Sequence, residues 1–270
     1  WGALLNGACL IVPDQTKLTL DAQDHTLEQH RISILWLTAG LFHAFADYFT
    51  GRPLHNLHTL LAGGDVLSME KVRTVLLHYP HLTLINGYGP TENTTFSYCY
   101  PMRADTLSQW QHLASVPLGY AISNSRGYIL DQHQQLLPYG ATGELYLAGL
   151  GLATEYLGLD GPTADSFIEL TLGEGGFKRT ERLYRTGDLV RYSQDGLLCF
   201  VGRRDSQIKI RGFRVEILEI EEILRQHPQV QQAAVVVDDD PQLGKTLFAF
   251  VSIDGNISSA ELMRYCQQTL

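Results

Sequence analysis

The first part of the chain alternates short apolar runs with stretches in which apolar side chains recur at helical spacing. Residues 32–37 and 82–85 have the length and apolar content of buried strands, and a further strand is indicated at 59–61. Helical patterns lie between them, with Thr38 and Ser68 available as N-caps. This β-α-β-α-β order is typical of a parallel sheet with crossover helices, whose ligands bind beyond the carboxyl ends of the strands.

Two changes of pattern divide the rest of the chain. From about residue 116, short strands alternate with Gly and Pro turns, which is typical of a small β-barrel. After Arg204, a short strand, a helix over residues 217–227 and two further strands indicate a compact α+β domain. We therefore predict an α/β fold class with three parts: a parallel-sheet α/β subdomain (1–115), a β-barrel subdomain (116–204) and a small α+β lid domain (205–270).

The charge balance and the cysteines narrow the classes of partner. Lys and Arg number 20 against 29 Asp and Glu, a net charge of −9 without any basic run, which argues against nucleic acid. The four cysteines have no CxxC spacing, which favours reduced thiols over a zinc site or a disulfide framework. No apolar run approaches the roughly 18 residues that span a bilayer. We expect a cytoplasmic protein with no nucleic-acid or membrane partner.

The loop NGYGPTE follows the third strand of the predicted parallel sheet. Gly87 and Gly89 allow backbone to approach a ligand closely, and Tyr88 offers an aromatic face for stacking. Thr91 supplies a hydroxyl, and the carboxylate of Glu92 is a ligand that Mg²⁺ accepts. Taken alone, the same loop is also compatible with an ordinary surface turn.

Three further segments carry candidate chemistry. YRTGD, at residues 184–188, is predicted to be a turn that presents Asp188 to both hydroxyls of a ribose, although a plain β-turn aspartate is the simpler interpretation. GRRDSQIKIRGFRVE, at 202–216, has alternating charges that also fit a solvated strand face. GELYLAGLGLATEYLG, at 143–158, has the pattern of a barrel strand and turn, and we expect a structural role for it.

In this order and at these intervals, the four segments resemble the core motifs of adenylate-forming, AMP-binding enzymes, and specifically the adenylation domains of nonribosomal peptide synthetases. The resemblance covers the whole chain. It implies that an amino acid attacks MgATP to give an aminoacyl-adenylate and pyrophosphate, and that the phosphopantetheine thiol of a carrier protein then accepts the aminoacyl group. Two alternatives remain, an acyl-CoA ligase of the same superfamily and a nucleotide-binding module that catalyses no reaction. The segments NGYGPTEN and KIRGFRVE are closer in sequence to the peptide synthetases.

The resemblance also implies a role for each matching residue. Those implied to bind the nucleotide are Tyr88 (stacked on adenine), Gly64 and Asn86 beside it, Phe200 near the base, Asp188 (on the ribose hydroxyls), Arg203, and Thr91 (on a phosphate). Glu92 is implied to bind Mg²⁺. Asp205 matches the hinge about which the lid rotates, and Lys209 is implied to act from the lid in thioester formation. Gly212 lies in the segment presented to phosphopantetheine.

The departures from the family pattern are also informative. The family's phosphate loop is expected before Trp1, and its adenylation lysine after Leu270, so we expect this chain alone not to catalyse adenylation. Thr154 and Glu155 replace the usual Arg-Gly before a tyrosine. The implied partners are a carrier protein, a neighbouring condensation domain and a small helper protein, in antibiotic or siderophore biosynthesis.

The resemblance further implies an amino-acid pocket. Its lining would be Trp36, Leu61, Gly63, Gly87, Thr95 and Phe96, with an aspartate for the amino group upstream of Trp1. Trp36 and Phe96 would limit the depth of the pocket, and the two glycines would leave it wide. No side chain of the lining could neutralise a charged substrate. This pattern resembles valine-activating domains and predicts valine as the substrate. The alternative is that Trp36 and Leu61 are ordinary core residues.

Overall fold

The computed structural model describes residues 2–13, 19–110, 112–113, 115–173, 178–205, 207–210, 213–240 and 244–269. Its first part contains α1 (Gly2–Leu5), α2 (Leu20–Gln29), β1 (Ile34–Thr38), α3 (Ala39–Phe49), β2 (Thr59–Gly63), α4 (Met69–His78), β3 (Thr83–Tyr88), β4 (Tyr98–Met102), α5 (Leu107–Trp110) and β5 (Tyr120–Ala121). The strands form one sheet in the order β1-β2-β3-β4-β5, parallel between the first three strands and antiparallel thereafter. The predicted parallel α/β arrangement is confirmed.

One face of the parallel strands supplies the main core. Leu60 and Leu84 are fully buried and belong to one cluster with Phe42, Phe45 and Phe49 of α3. Complete burial of such a side chain contributes about 1.5–3 kcal/mol, so this face holds the sheet and its helices together. Side chains alternate across a strand, which leaves the other face of the same strands available to a ligand.

The two predicted N-caps differ in the structure. Ser68 caps α4, because its hydroxyl accepts a hydrogen bond from the Lys71 N–H at 3.4 Å. Thr38 occupies the N-cap position of α3, but its side chain makes no capping hydrogen bond. Helix α3 therefore begins without the predicted side-chain cap.

The second part contains β6 (Ser125–Leu130), β7 (Gly143–Gly149), α6 (Asp160–Ser166), β8 (Phe167–Leu172), β9 (Arg179–Tyr192) and β10 (Leu198–Arg203). Its strands form an antiparallel sheet in the order β10-β9-β7-β6, with β8 pairing β9. Within the described residues, β10 and β6 are not paired with each other, so closure into a barrel stays a prediction. The expectation that YRTGD forms a turn is wrong, because these residues lie inside β9.

The last part contains β11 (Gln207–Ile210), β12 (Phe213–Glu216), α7 (Ile217–Gln226), β13 (Val230–Asp240), β14 (Gly244–Ile253) and α8 (Ser259–Thr269). We call residues 205–270 the lid and the preceding residues the body. β11 pairs with β12, and β13 pairs with β14, both antiparallel. The lid has its own small core, in which Leu224, Val235 and Leu262 pack together. The predicted α+β composition is confirmed.

Candidate functional site

A cavity of about 270 Å³ lies between the body and the lid. It is bounded by the carboxyl ends of β2 and β3, by β9 and β10, and by the β11 strand of the lid. The predicted residues that line it are Gly64, Asn86, Gly87, Tyr88, Asp188, Phe200, Arg203 and Lys209. The fold therefore brings together six of the seven residues assigned to the nucleotide. The seventh, Thr91, is exposed and does not line this cavity.

Asp188 is the centre of a buried network on one wall. Its carboxylate, in a residue only 8% exposed, accepts hydrogen bonds from the Tyr88 hydroxyl and from the Arg203 guanidinium. The Arg203 guanidinium also donates two hydrogen bonds of 2.7 Å to Asp205. Thr186 accepts from the Asp188 N–H at 3.0 Å and donates to the Leu145 carbonyl at 2.7 Å. The carboxylate is held in place by both its side-chain and its main-chain contacts.

Gly187 explains how a residue inside a strand presents this carboxylate. Its φ of +73° lies in the left-handed region, and a Cβ there would come within 2.7 Å of the Arg203 guanidinium. Only glycine adopts this conformation readily and leaves room for the arginine. The left-handed conformation of Gly187 within β9 therefore presents Asp188 to the cavity, as the predicted turn was expected to do.

Burial shifts the pKa values of two ionisable side chains in the cavity. Desolvation raises the pKa of the Asp188 carboxyl, although the Arg203 charge and the Tyr88 hydroxyl oppose the shift. Desolvation also lowers the pKa of the Lys209 ammonium, opposed by Asp188 and Asp65. The cavity therefore places a carboxylate acceptor and a partly desolvated amine on facing elements of the body and the lid.

The predicted amino-acid pocket lies on the sheet face opposite the main core. Trp36 is paired with Leu61 across β1 and β2, and Gly63 is paired with Gly87 across β2 and β3. Trp36 is 45% exposed and Leu61 is partly buried. The four positions share one face, since side chains two residues apart point to the same side of a strand.

The two glycines are required by close approaches at this face. A Cβ on Gly63 would lie 2.0 Å from the carbonyl oxygen of Gly87. A Cβ on Gly87 would lie 2.5 Å from the ring of Phe96, which covers this glycine. Thr95 precedes Phe96 and is exposed. A larger side chain at either glycine would displace the groups that shape the predicted pocket.

Glu92 lies in a short 3-10 turn (Thr91–Asn93), outside the cavity lining. Its carboxylate, in a residue only 6% exposed, accepts hydrogen bonds from the Tyr156 hydroxyl at 2.5 Å and from Arg214 Nη1, at 2.7 Å to Oε1 and 2.9 Å to Oε2. Burial alone would raise the pKa of this carboxyl, but Tyr156 and Arg214 outweigh it and the pKa is lowered. Glu92 is therefore held as an anion.

The Glu92 carboxylate does not fit the predicted Mg²⁺ in this arrangement. Both of its oxygens face the Arg214 cation, and the described residues contain no group of three or more His, Cys, Asp or Glu that could hold a metal ion. A cation at this carboxylate would require Arg214, which belongs to β12 of the lid, to move away.

The lid residues predicted to act in the second half-reaction lie at the start of the lid. Asp205 lies just beyond Arg204 at the end of β10, accepts the two hydrogen bonds from Arg203, and accepts a third from the Gln207 N–H at 3.2 Å. This position at the junction of body and lid is compatible with a hinge. Lys209 lines the cavity. Gly212 lies outside the described residues.

Sequence reasoning missed four residues that join the parts of this site. Lys245 of β14 forms an ion pair of 2.7 Å with Asp65 of the body, and both line the cavity. No sequence pattern links these two positions. The sequence did contain a signal for Arg214. It lies two residues after the Arg-Gly pair of KIRGFRVE, and Lys209 lies two residues before that pair. The two are cross-strand partners in the structure.

Tyr156 was assigned a structural role with its segment, but its hydroxyl contacts Glu92. The neighbouring residues that depart from the family pattern do not contact the nucleotide cavity. Arg182 donates to the carbonyls of Ala153 and Thr154 and holds this segment by its main chain. Tyr156 is thereby positioned over Glu92.

The comparisons with known proteins agree with these features. Residues 1–157 match the AMP-binding enzyme family, and residues 219–270 match the AMP-binding enzyme C-terminal domain. A linear gramicidin synthase polypeptide from Brevibacillus parabrevis is 46% identical over 253 residues, which cover 94% of this chain and 3% of that protein. Gramicidin S synthase 2 of Brevibacillus brevis is 38% identical over 272 residues, covering 100% of this chain and 6% of that protein.

A solved structure with a similar fold is holo-PA1221, an NRPS protein containing adenylation and PCP domains, bound to a vinylsulfonamide inhibitor. The TM-score is 0.88 at 36% identity, over 98% of this chain and 44% of that chain. The chain thus spans less than half of that structure and a small fraction of the curated relatives. Among the described residues, none of the helices is both long and apolar enough to cross a bilayer. The match over residues 1–157 of 270 shows that the chain belongs to the AMP-binding enzyme family.

Proposed function

We propose that this chain is part of a cytoplasmic nonribosomal peptide synthetase adenylation domain that activates an amino acid with ATP and loads it onto a carrier protein. The observation that carries the proposal is the cavity in which Tyr88, Asp188 and Arg203 of the body face Lys209 of the lid. An aromatic face, a fixed carboxylate and a lid amine are the groups that a nucleotide with a reactive phosphate requires.

The body residues would bind and orient the nucleotide. A carboxylate has about four lone-pair positions, of which Tyr88 and Arg203 use two at Asp188, so two remain for the ribose hydroxyls. Tyr88 and Phe200 offer apolar faces to the base, and the Asn86 side chain is fixed by its 2.8 Å hydrogen bond to the Pro117 carbonyl. Orientation of the α-phosphate toward the amino acid would follow from these contacts.

The lid would serve the second half-reaction. In that step the carrier thiol attacks the aminoacyl carbonyl, a C–S bond forms, the C–O bond to the phosphate breaks, and AMP leaves as the thiol proton is lost to water. Lys209 would stabilise the leaving phosphate with its ammonium. Rotation about Asp205 would exchange this arrangement for the one that forms the adenylate. Mg²⁺ would supply charge neutralisation at the phosphates when bound, and Glu92 is the proposed ligand once Arg214 has withdrawn.

We propose valine as the amino acid. Trp36, Leu61 and Phe96 would provide an apolar surface, and Gly63 and Gly87 would leave space for a short branched side chain. Isoleucine and related small aliphatic amino acids should be weaker substrates, because one methylene contributes only about 1–3 kcal/mol of discrimination. A neighbouring condensation domain and a small helper protein are further proposed partners.

The test uses the intact adenylation domain that contains this chain. ATP–pyrophosphate exchange should depend on an added amino acid, be fastest with valine, and be followed by loading of a phosphopantetheinylated carrier protein. Efficient transfer to free coenzyme A with a carboxylic acid that lacks an amino group would instead indicate an acyl-CoA ligase. Nucleotide binding without exchange would indicate a non-catalytic module, and a preference for acidic, basic or large aromatic amino acids would contradict the pocket assignment.

A further inference from the structure

The contact between Arg214 and Glu92 joins the lid to the motif loop of the body. Arg214 Nη1 lies 2.7 Å from Oε1 and 2.9 Å from Oε2, so one nitrogen contacts both oxygens of the carboxylate. A divalent cation held by Glu92 would need the same carboxylate oxygens. Arg214 also lies within 3.4 Å of the Tyr184 hydroxyl, through Nη2, and therefore has a second partner in the body.

Arg214 contacts both oxygens of the buried Glu92 carboxylate, and Tyr156 contacts one of them as well. The Tyr156 hydroxyl takes a further position on Oε1 at 2.5 Å, and the residue is 6% exposed. A divalent cation and a guanidinium on one buried carboxylate would repel each other strongly, since charges interact more strongly away from bulk water. The two cations must therefore bind alternately.

We propose that Arg214 is a positioning residue that takes the place of the divalent cation at Glu92, so that the lid orientation seen here forms only when the metal ion has left. The inference rests on the proposed role of Glu92 as a metal ligand. It adds that the chain carries its own replacement cation on the lid. Metal binding and this lid orientation are thus mutually exclusive, and each weakens the other by the same factor.

An arginine that forms ion pairs within the lid supplies a matched control. Arg225 of α7 forms ion pairs with Glu221 at 3.5 Å and with Glu222 at 2.8 Å, and all three residues belong to the lid. Arg225→Gln should leave both the lid orientation and the contact between Arg214 and Glu92 unchanged. Arg214→Gln should loosen the lid and free the carboxylate.

The experiment measures the affinity of the intact domain for α,β-methylene-ATP by calorimetry, with saturating Mn²⁺ and again in EDTA. The ratio of the two affinities isolates the contribution of the metal ion, because direct contacts of a side chain with the nucleotide affect both measurements. Removal of a charged hydrogen bond that competes should raise this ratio about tenfold or more in Arg214→Gln. Arg225→Gln should leave the ratio within about twofold of wild type, and Glu92→Gln should abolish the enhancement by Mn²⁺.

Amide hydrogen exchange gives a readout of the lid. In the wild type, Mn²⁺ with the analogue should increase exchange in β11 and β12, whereas Arg214→Gln should show the increased exchange without ligand. Thermal unfolding checks that each variant is folded, and Arg214→Lys, with a ratio between wild type and Arg214→Gln, serves if the glutamine variant does not fold. An unchanged ratio in the folded Arg214 variants would overturn the inference. An unchanged ratio in Glu92→Gln would instead overturn the metal assignment in the proposed function.

Discussion

Asp188→Asn tests the ribose contact most directly. The substitution keeps the shape of the side chain but removes its charge and replaces one acceptor oxygen by a donor. Hydrogen bonds to charged groups contribute about 1.5–3 kcal/mol, and the asparagine retains one acceptor, so we expect a loss of about 2 kcal/mol. This corresponds to an approximately 30-fold weaker Kd for ATP.

The fold should survive the change, because Arg203 keeps its two hydrogen bonds of 2.7 Å to Asp205. Calorimetric titration of the intact domain with ATP measures the Kd, and urea unfolding separates lost affinity from lost stability. Asp195→Asn is the matched control, since Asp195 is an exposed carboxylate outside the cavity and should leave the Kd unchanged. An Asp188→Asn protein that is stable and binds ATP within about threefold of wild type would refute the role of this carboxylate.

Three further predictions use the same domain. Asp205→Pro should spare amino-acid-dependent pyrophosphate exchange and impair carrier loading, because proline fixes φ at the proposed hinge; equal loss of both would indicate a folding role. Trp36→Ala should deepen the pocket and raise the leucine-to-valine ratio in the exchange assay about tenfold, and an unchanged ratio would contradict the pocket. Burial lowers the pKa of Lys209, so stability is lost as pH falls from the ordinary lysine pKa to the lowered one. Lys209→Met should therefore be more stable than wild type near pH 7, and by a smaller margin near pH 11, in urea unfolding; an equal gain at both would contradict burial as the cause.

Several parts of the site were predictable because a local pattern determines them. The alternation of apolar strands and helices predicts the parallel sheet, and a glycine-rich loop after a strand places Gly87 and Tyr88 at the edge where ligands bind. The position of Asp188 at the cavity followed from its motif, although the local conformation did not. A strand residue with a left-handed glycine before it resembles a turn in sequence, and only its pairing partners distinguish the two.

By itself, the sequence determined the main helices and strands through their periodicity, and the resemblance of its short motifs to a known family indicated the class of chemistry and eight of the residues that line the cavity. Only the tertiary structure decided what Glu92 contacts. Arg214 is 122 positions away in the chain, and Lys245 is 180 positions from Asp65, so no local pattern could report either pairing. Long-range pairs between charged groups depend on how the lid packs against the body, and that packing is fixed by the fold as a whole.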